Sequence, residues 1–371
     1  GGRLRHGTAA LFLLTRAVAD GVRVWAVSIV VMIALGTGDV ASVALITIMT
    51  LLYTLEGGLA AVIRTDVVQL AVYLGGTLAG LYVILQLVPG GAPAVWSLAG
   101  QVGKLQVFDF SADFSRPYTF WAGLIGGSFL TMASHGTDQL IVQRLLAARS
   151  RTASQAALIF SGLVVFLQFA LFLLIGVALF AFYRLVEPSA VFAGSDSIFP
   201  TFIVTRMPAG VSGLMVAAVL AAAMSTLSSS LSSLSSTSMV DFYLRRHPET
   251  SEARRMALSR RSTLLWAAVL FGFALLSRHG GRVVELGLSI ASVSYGALLG
   301  VFLLGVLTRK AHERGAMLGM GAGLAVGLYL WLATAVPWTW YVALETLATF
   351  SIGYIASLVS PDARTPGEHV A

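Results

Sequence analysis

The feature that most limits what this chain can become is one repeated kind of segment: an apolar run of about 20 residues, enough for a helix to cross a hydrocarbon layer about 30 Å thick. Such runs recur over roughly residues 9–36, 40–62, 66–88, 118–146, 155–182, 211–241, 262–278, 283–307 and 315–360, and the last divides at Pro337, which makes ten expected crossings. Lipid offers a backbone no hydrogen-bond partners, so runs of this length and number specify an all-α, polytopic membrane protein. Composition agrees. With 57% hydrophobic residues, 11% charged residues and a mean hydropathy of +0.84, the chain carries more apolar surface than a soluble core of its size hides.

The net charge of +7 has a local explanation. If residue 1 is cytoplasmic and the crossings alternate, sixteen of the 24 Lys and Arg residues fall in inner loops, six in outer loops and two inside the first crossing. The positive-inside rule selects this orientation, with both termini of the chain cytoplasmic and the protein in a cytoplasmic, inner membrane. Basic residues confined to short loops do not form the contiguous patch that nucleic acid requires, so no nucleic-acid partner is expected. The absence of cysteine removes disulfides, thiolate metal sites and a cysteine nucleophile. The chain reads as one transmembrane domain over residues 1–371, in which the two longest outer connections, 89–117 and 183–210, have room for short helices.

Four polar features stand out against this background. In GLMVAAVLAAAMSTLSSSLSSLSSTSMVDFY, residues 213–243, Ser225, Ser228, Ser229, Ser232 and Ser236 are spaced by three and four and share one helix face. Hydroxyls in that pattern either bond back to carbonyls one turn earlier and pack the helix, or supply oxygen ligands to a hard cation such as sodium. Asp66, beside Arg64 at the start of a crossing, is either a helix cap paired with that arginine or a functional carboxylate. Arg16, Asp20 and Arg23 are spaced to pair on one helix face. His135, in TMASHGTDQ, is the one histidine inside a crossing, and the same stretch holds Asp138, expected to pair locally with Gln139 and Arg144. No GxSxG-type elbow accompanies His135, which points away from hydrolase chemistry and from an enzyme.

Sequence motifs in order along the chain resemble the sodium:solute symporter family. AAAMSTLSSS followed by STSMVDFY is similar to its eighth core helix, and YTLEGGLAAVIRTDVVQ, residues 53–69, to its fourth-to-fifth junction. GTDQLIVQRLLAARS, residues 136–150, resembles the end of its sixth helix, and SIASVSYGALLGVFLLGVLTRKAHERGA, residues 289–316, its tenth. The resemblance implies a leucine-transporter-like inverted-repeat fold in which residues 9–88 are the remainder of the first repeat, 118–307 the second repeat and 315–360 two peripheral helices. It further implies that the first two core helices are not in this chain, which alone leaves the sodium site half built.

By the same resemblance, the Ala222 carbonyl with the Ser225 and Thr226 hydroxyls would bind a first sodium, and Asp66 facing Ser228 and Ser229 a possible second. Thr131, Ser134 and His135 on the sixth helix would line the solute pocket, together with Gln168 and Ser289. Positions that match sugar contacts in the sugar-transporting branch read Ala133, Ser134, His135, Val165 and Leu288, which argues against a sugar. The implied activity is sodium-coupled secondary active symport of a small organic solute by alternating access, with Na+ as the coupling ion, no other cofactor, and the bilayer as surroundings. Two rivals stand beside it: proton-coupled transport through His135 or Asp66, and a membrane sensor built on a transporter fold.

Overall fold

The computed structural model of the protein describes the backbone of residues 2–56, 59–146, 148–279 and 281–359, and their side chains other than those of residues 2, 3, 56, 59–66, 139, 140, 143 and 144. In chain order its helices are α1 (Gly2–Leu35), α2 (Asp39–Glu56), α3 (Leu59–Leu87), α4 (Gly91–Gln101), α5 (Gly127–Gly136), α6 (Gln139–Leu146), α7 (Arg151–Leu185), α8 (Ile198–Arg206), α9 (Ala209–Thr237), α10 (Glu252–Ser277), α11 (Val283–Leu307), α12 (Glu313–Ala333) and α13 (Tyr341–Val359). No strand occurs among the described residues, as a chain that must satisfy its backbone within each segment requires.

Among the described residues, eight helices are long and apolar enough to cross a bilayer. Of the other two expected crossings, Asp39–Leu55 is a shorter apolar helix, and residues 118–146 are interrupted: a π turn at Ala122–Gly126 leads into α5, which stops at Gly136, and α6 resumes at Gln139. The stop has a local cause. Thr137 leaves helical geometry at φ −125°, ψ −16° while its amide closes α5 by donating to the Ala133 carbonyl at 2.9 Å. Asp138 then sits just ahead of α6, where a negative charge favours a helix start. The connections at 89–117 and 183–210 do carry short helices, α4 and α8, and both bury a face: Val95, Ala99, Phe202 and Ile203 are all buried.

The chain divides into two compact units. One gathers residues up to 15, 108–146 and from 288 on; the other holds 16–107 and 147–287. In the first unit, glycines set the register of three helices. A methyl group added at Gly315, Gly319, Gly323 or Gly327 of α12 would collide with Ser357, Gly353, Thr349 or Glu345 of α13 in that order. As one number rises by four the other falls by four, so α12 and α13 run antiparallel at backbone distance. Methyls at Gly296 and Gly300 of α11 would collide with the same Glu345 and Thr349, now in ascending order, so α11 and α13 run parallel. Close approach of this kind replaces the hydrophobic drive that lipid removes.

The second unit has a more conventional interior. Ile84 of α3, Val88 just past its end, Val95 of α4, Ile175, Ala178 and Phe182 of α7, Phe202 of α8 and Met215 of α9 form one continuous apolar core. A glycine again admits the tightest crossing there, since a methyl at Gly76 on α3 would lie 2.5 Å from Met215 Cγ. Elsewhere in this unit the contacts are polar. Ser235 Oγ on α9 donates to the Ser259 carbonyl on α10 at 2.9 Å, and Trp266 Nε1 donates to Ser238 Oγ at 2.9 Å.

Candidate functional site

The serine stripe on α9 forms as its spacing requires, and its hydroxyls bond back along the helix. Thr226 Oγ1 donates to the Ala222 carbonyl at 3.1 Å, and Ser229 Oγ donates to the Ser225 carbonyl at 3.1 Å. These are the back-bonds that pack a helix. They also draw each hydroxyl oxygen and a carbonyl oxygen together, in two pairs offset by three residues along the helix. A hydroxyl that donates its hydrogen keeps its lone pairs, so each pair offers a cation two oxygens without net charge. Ser225 and Ser228 are buried, Ser229 is half-buried and Thr226 is exposed. Of the sodium-site residues expected from the sequence, Ala222, Ser225, Thr226 and Ser229 are therefore brought together by direct bonds, with Ser228 on the same turn. Asp66 lies on α3, but its side chain is outside the described residues.

The neighbouring charges in this unit are already satisfied. Asp20 is fully buried and takes Arg16 Nε at 2.7 Å and Arg23 Nη1 at 2.5 Å. Arg16 Nη2 also donates to Ser230 Oγ at 2.7 Å, which ties α1 to the serine helix one turn beyond Thr226. Sequence spacing predicts the ion triad. It does not predict Ser230, because a partner more than 200 residues away leaves no local pattern.

The other expected solute contacts divide between the two units. In the first unit, Ser134 Oγ donates to the Thr131 carbonyl at 3.2 Å, and His135 Nδ1 lies 3.1 Å from that carbonyl and 2.9 Å from Ser134 Oγ. A carbonyl only accepts, so a neutral His135 carries its hydrogen on Nδ1 and presents Nε2 as an acceptor. Thr131, Ser134 and His135 thus form one cluster on the last turn of α5, just before the break. Ser289, half-buried near the start of α11, has no hydrogen bond to that cluster among the described residues. Asp138 accepts a hydrogen bond from Tyr295 Oη on α11 at 2.9 Å. The local partners expected for it, Gln139 and Arg144, have side chains outside those described. Tyr295 is a site-adjacent residue that sequence reasoning passes over, since a tyrosine in an apolar helix reads as packing.

In the second unit, Gln168 and Ala222 line the same cavity, of about 940 Å³, with Tyr73, Thr77, Phe172 and Met215 also in its wall. Its lining is mainly apolar, with a few polar groups placed to orient a ligand, which is the usual make-up of a small-molecule site. Lys104 and Arg184 stand at one end, both near the Phe180 ring, the Lys104 ammonium at 4.5 Å from its centroid.

Comparisons with known proteins bear on this arrangement. The family model described as the sodium:solute symporter family matches residues 3–323. Over 88% of its length the chain is 33% identical to a sodium-dependent multivitamin transporter of Oryctolagus cuniculus, of which the match covers 52%. It is 28% identical to a sodium-coupled monocarboxylate transporter 2 of Bos taurus, over 92% of this chain and 57% of that one. It is 30% identical to the human sodium/iodide cotransporter, over 77% of this chain and 45% of that one. The chain thus spans about half the length of the curated relatives it matches. Among solved structures, a substrate-bound, outward-open Na+-coupled sialic acid symporter superposes with a TM-score of 0.80 at 24% identity, over 98% of this chain and 76% of that one, and shares its fold. A match across most of the chain, on the same helices that hold the paired oxygens, makes this protein a member of the sodium:solute symporter family.

Proposed function

We propose that this protein is a sodium-coupled secondary active symporter that imports a small organic solute across a cytoplasmic membrane by alternating access. The observation that carries the reading is the pair of oxygen pairs on α9, Ala222 O with Thr226 Oγ1 and Ser225 O with Ser229 Oγ. They suit a hard cation that sheds part of its water for neutral oxygens and is then released. In this reading Ala222, Ser225 and Thr226 hold the coupling sodium, and Asp66, Ser228 and Ser229 a second. The solute contacts Thr131, Ser134, His135, Gln168 and Ser289, with His135 Nε2 as an acceptor. Residues 9–88 and 118–307 form inverted repeats, and both ends of the chain face the cytoplasm. The relatives' names span vitamins, monocarboxylates and iodide, so family membership bears on the coupling ion more than on the solute.

Sodium does its work through differential affinity: it favours whichever state of the carrier presents the α9 oxygens best. The first test uses sodium alone. Thermal unfolding in lipid nanodiscs, with sodium replaced by choline at constant ionic strength, should show a rise in midpoint with sodium that Thr226→Ala and Ser225→Ala abolish while folding normally. A midpoint indifferent to sodium, or a sodium response that survives both substitutions, would remove the α9 site. Uptake into proteoliposomes under a sodium gradient with no proton gradient then separates this reading from proton coupling. Uptake that needs acid outside and ignores sodium would favour His135 or Asp66 as a proton carrier.

A further inference from the structure

We infer that Glu345, inside the α11–α12–α13 packing of the first unit, is a proton-binding site whose carboxyl is held neutral by the surrounding glycines. The residue is fully buried on a membrane-spanning helix. Among the described residues no side chain donates to Oε1 or Oε2, and the Ala297 backbone amide is near without closing a well-formed hydrogen bond. Its surroundings are glycine on two sides. A methyl added at Gly296 of α11 would stand 2.7 Å from Oε2, and one added at Gly327 of α12 would collide with Oε1. The glycines therefore accommodate the carboxyl sterically while offering it no side-chain donor.

The hydroxyls within the same packing are not aimed at it either. Thr349 Oγ1, one turn further along α13, and Ser292 Oγ, one turn before Gly296 on α11, are buried and also without partners. Thr346 Oγ1 donates to the Gly296 carbonyl at 3.2 Å. The titratable groups on the packed elements are otherwise engaged or remote. Tyr341 Oη donates to the Leu330 carbonyl at 3.4 Å, Tyr295 Oη donates to Asp138, and His135 Nδ1 faces the Thr131 carbonyl. Tyr329 of α12 is exposed, Tyr354 is more than two turns further along α13, and Glu313 and Arg314 start α12, about 20 Å along the helix from Gly327.

A carboxylate without donors or a cation in such a place costs far more than this packing can return, whereas a carboxylic acid is a modestly polar neutral group. Intramembrane acids that persist are commonly functional. Here the ligand is a proton, and what depends on it is the seating of α13 against α11 and α12. The site is separate from the α9 oxygens and does not rest on the sodium reading.

The test uses the full chain in lipid nanodiscs. Infrared spectra at neutral pH should contain a carboxylic-acid C=O band that disappears in Glu345→Gln. Gln is neutral at every pH and nearly the same size, so this variant should unfold at the wild-type midpoint below about pH 4, where the unfolded chain also carries the proton. As the pH is raised, the wild-type midpoint should fall while that of Glu345→Gln holds. The sign follows because the folded state retains a proton that the unfolded state releases. Absence of a carboxylic-acid C=O band from the wild type at neutral pH would overturn the inference, even if Glu345→Gln failed to fold. Parallel pH profiles for the two proteins would overturn it as well, as would a wild-type midpoint that rises with sodium at fixed pH through Glu345, which would make the ligand a metal cation.

Discussion

At the scale of single residues, Arg16, Asp20 and Arg23 show what local spacing can and cannot say. Their offsets of four and three place three charges on one face, and the structure pairs them. What spacing misses is that Asp20 is fully buried while Arg16 is only 10% exposed, so the pair lies in the interior. Removing one partner leaves the other charged and dry. Asp20→Ala should therefore cost about 3–5 kcal/mol, with Ser230 recovering little of it. Replacing both members, Arg16→Met with Asp20→Leu, should recover most of that loss, and chemical unfolding of the two variants beside the wild type would show whether it does. The hydroxyls of α9 were legible in the same way. A serine every three or four residues predicts a polar face, and only the resemblance to a family distinguishes ligand oxygens from packing oxygens, because both use the same back-bonds.

At the scale of elements, the sequence announces long helices through apolar length but hides where they break and how they register. The interruption between α5 and α6 depends on Thr137 and Asp138, ordinary polar residues at the end of an apolar run. The glycine spacing of α12 signals close packing in general terms. That it meets α13 in antiparallel register, with Gly319 against Gly353, follows from the folded backbone alone. Gly319→Ala should then destabilise the protein by roughly 1–3 kcal/mol through overpacking against the Thr349 carbonyl and Gly353. Gly321→Ala, two residues on and open around its Cα, should stabilise it by up to about 1 kcal/mol through helix propensity. Opposite signs at neighbouring glycines are the signature of a register, and equal effects would count against it. The connection before α5 carries a pH response of its own. The Asp113 carboxyl accepts from Ser115 Oγ at 2.6 Å and Ser115 N at 2.9 Å, bonds which, with Arg116 beside it, hold its pKa below the usual carboxylate range. A depressed carboxyl adds order that is complete above its unfolded pKa and is lost as pH falls through its folded one. Protection of the Ser115 amide, the slowing of its exchange relative to the intrinsic rate at the same pH, should accordingly fall in acid, and should be low at all pH in Asp113→Ala.

At the scale of the whole molecule, the argument turns on how charge is distributed among connections. Eight described helices can cross a bilayer, and Asp39–Leu55 and the interrupted 118–146 segment supply the remaining expected crossings. With all ten counted, the connection between α7 and α8 and the one between α9 and α10 fall on opposite sides of the membrane. The second, with the first turn of α10, holds Arg245, Arg246, Arg254 and Arg255, whereas the first has only Arg184, in the last turn of α7, beside it. Moving the arginine-rich connection to the outside would work against both the insertion bias and the membrane potential. The chain has no cysteine, so a single introduced thiol reports its own side without background. Ser189→Cys and Glu249→Cys are suited to this, as both positions are exposed and lie outside the helices. In intact cells a membrane-impermeant maleimide should label Ser189→Cys and spare Glu249→Cys, and permeabilisation should expose the second. Labelling of both in intact cells would mean that the one counted crossing between them, α9, does not span. The reverse pattern would invert the protein and turn the proposed direction of sodium entry around with it.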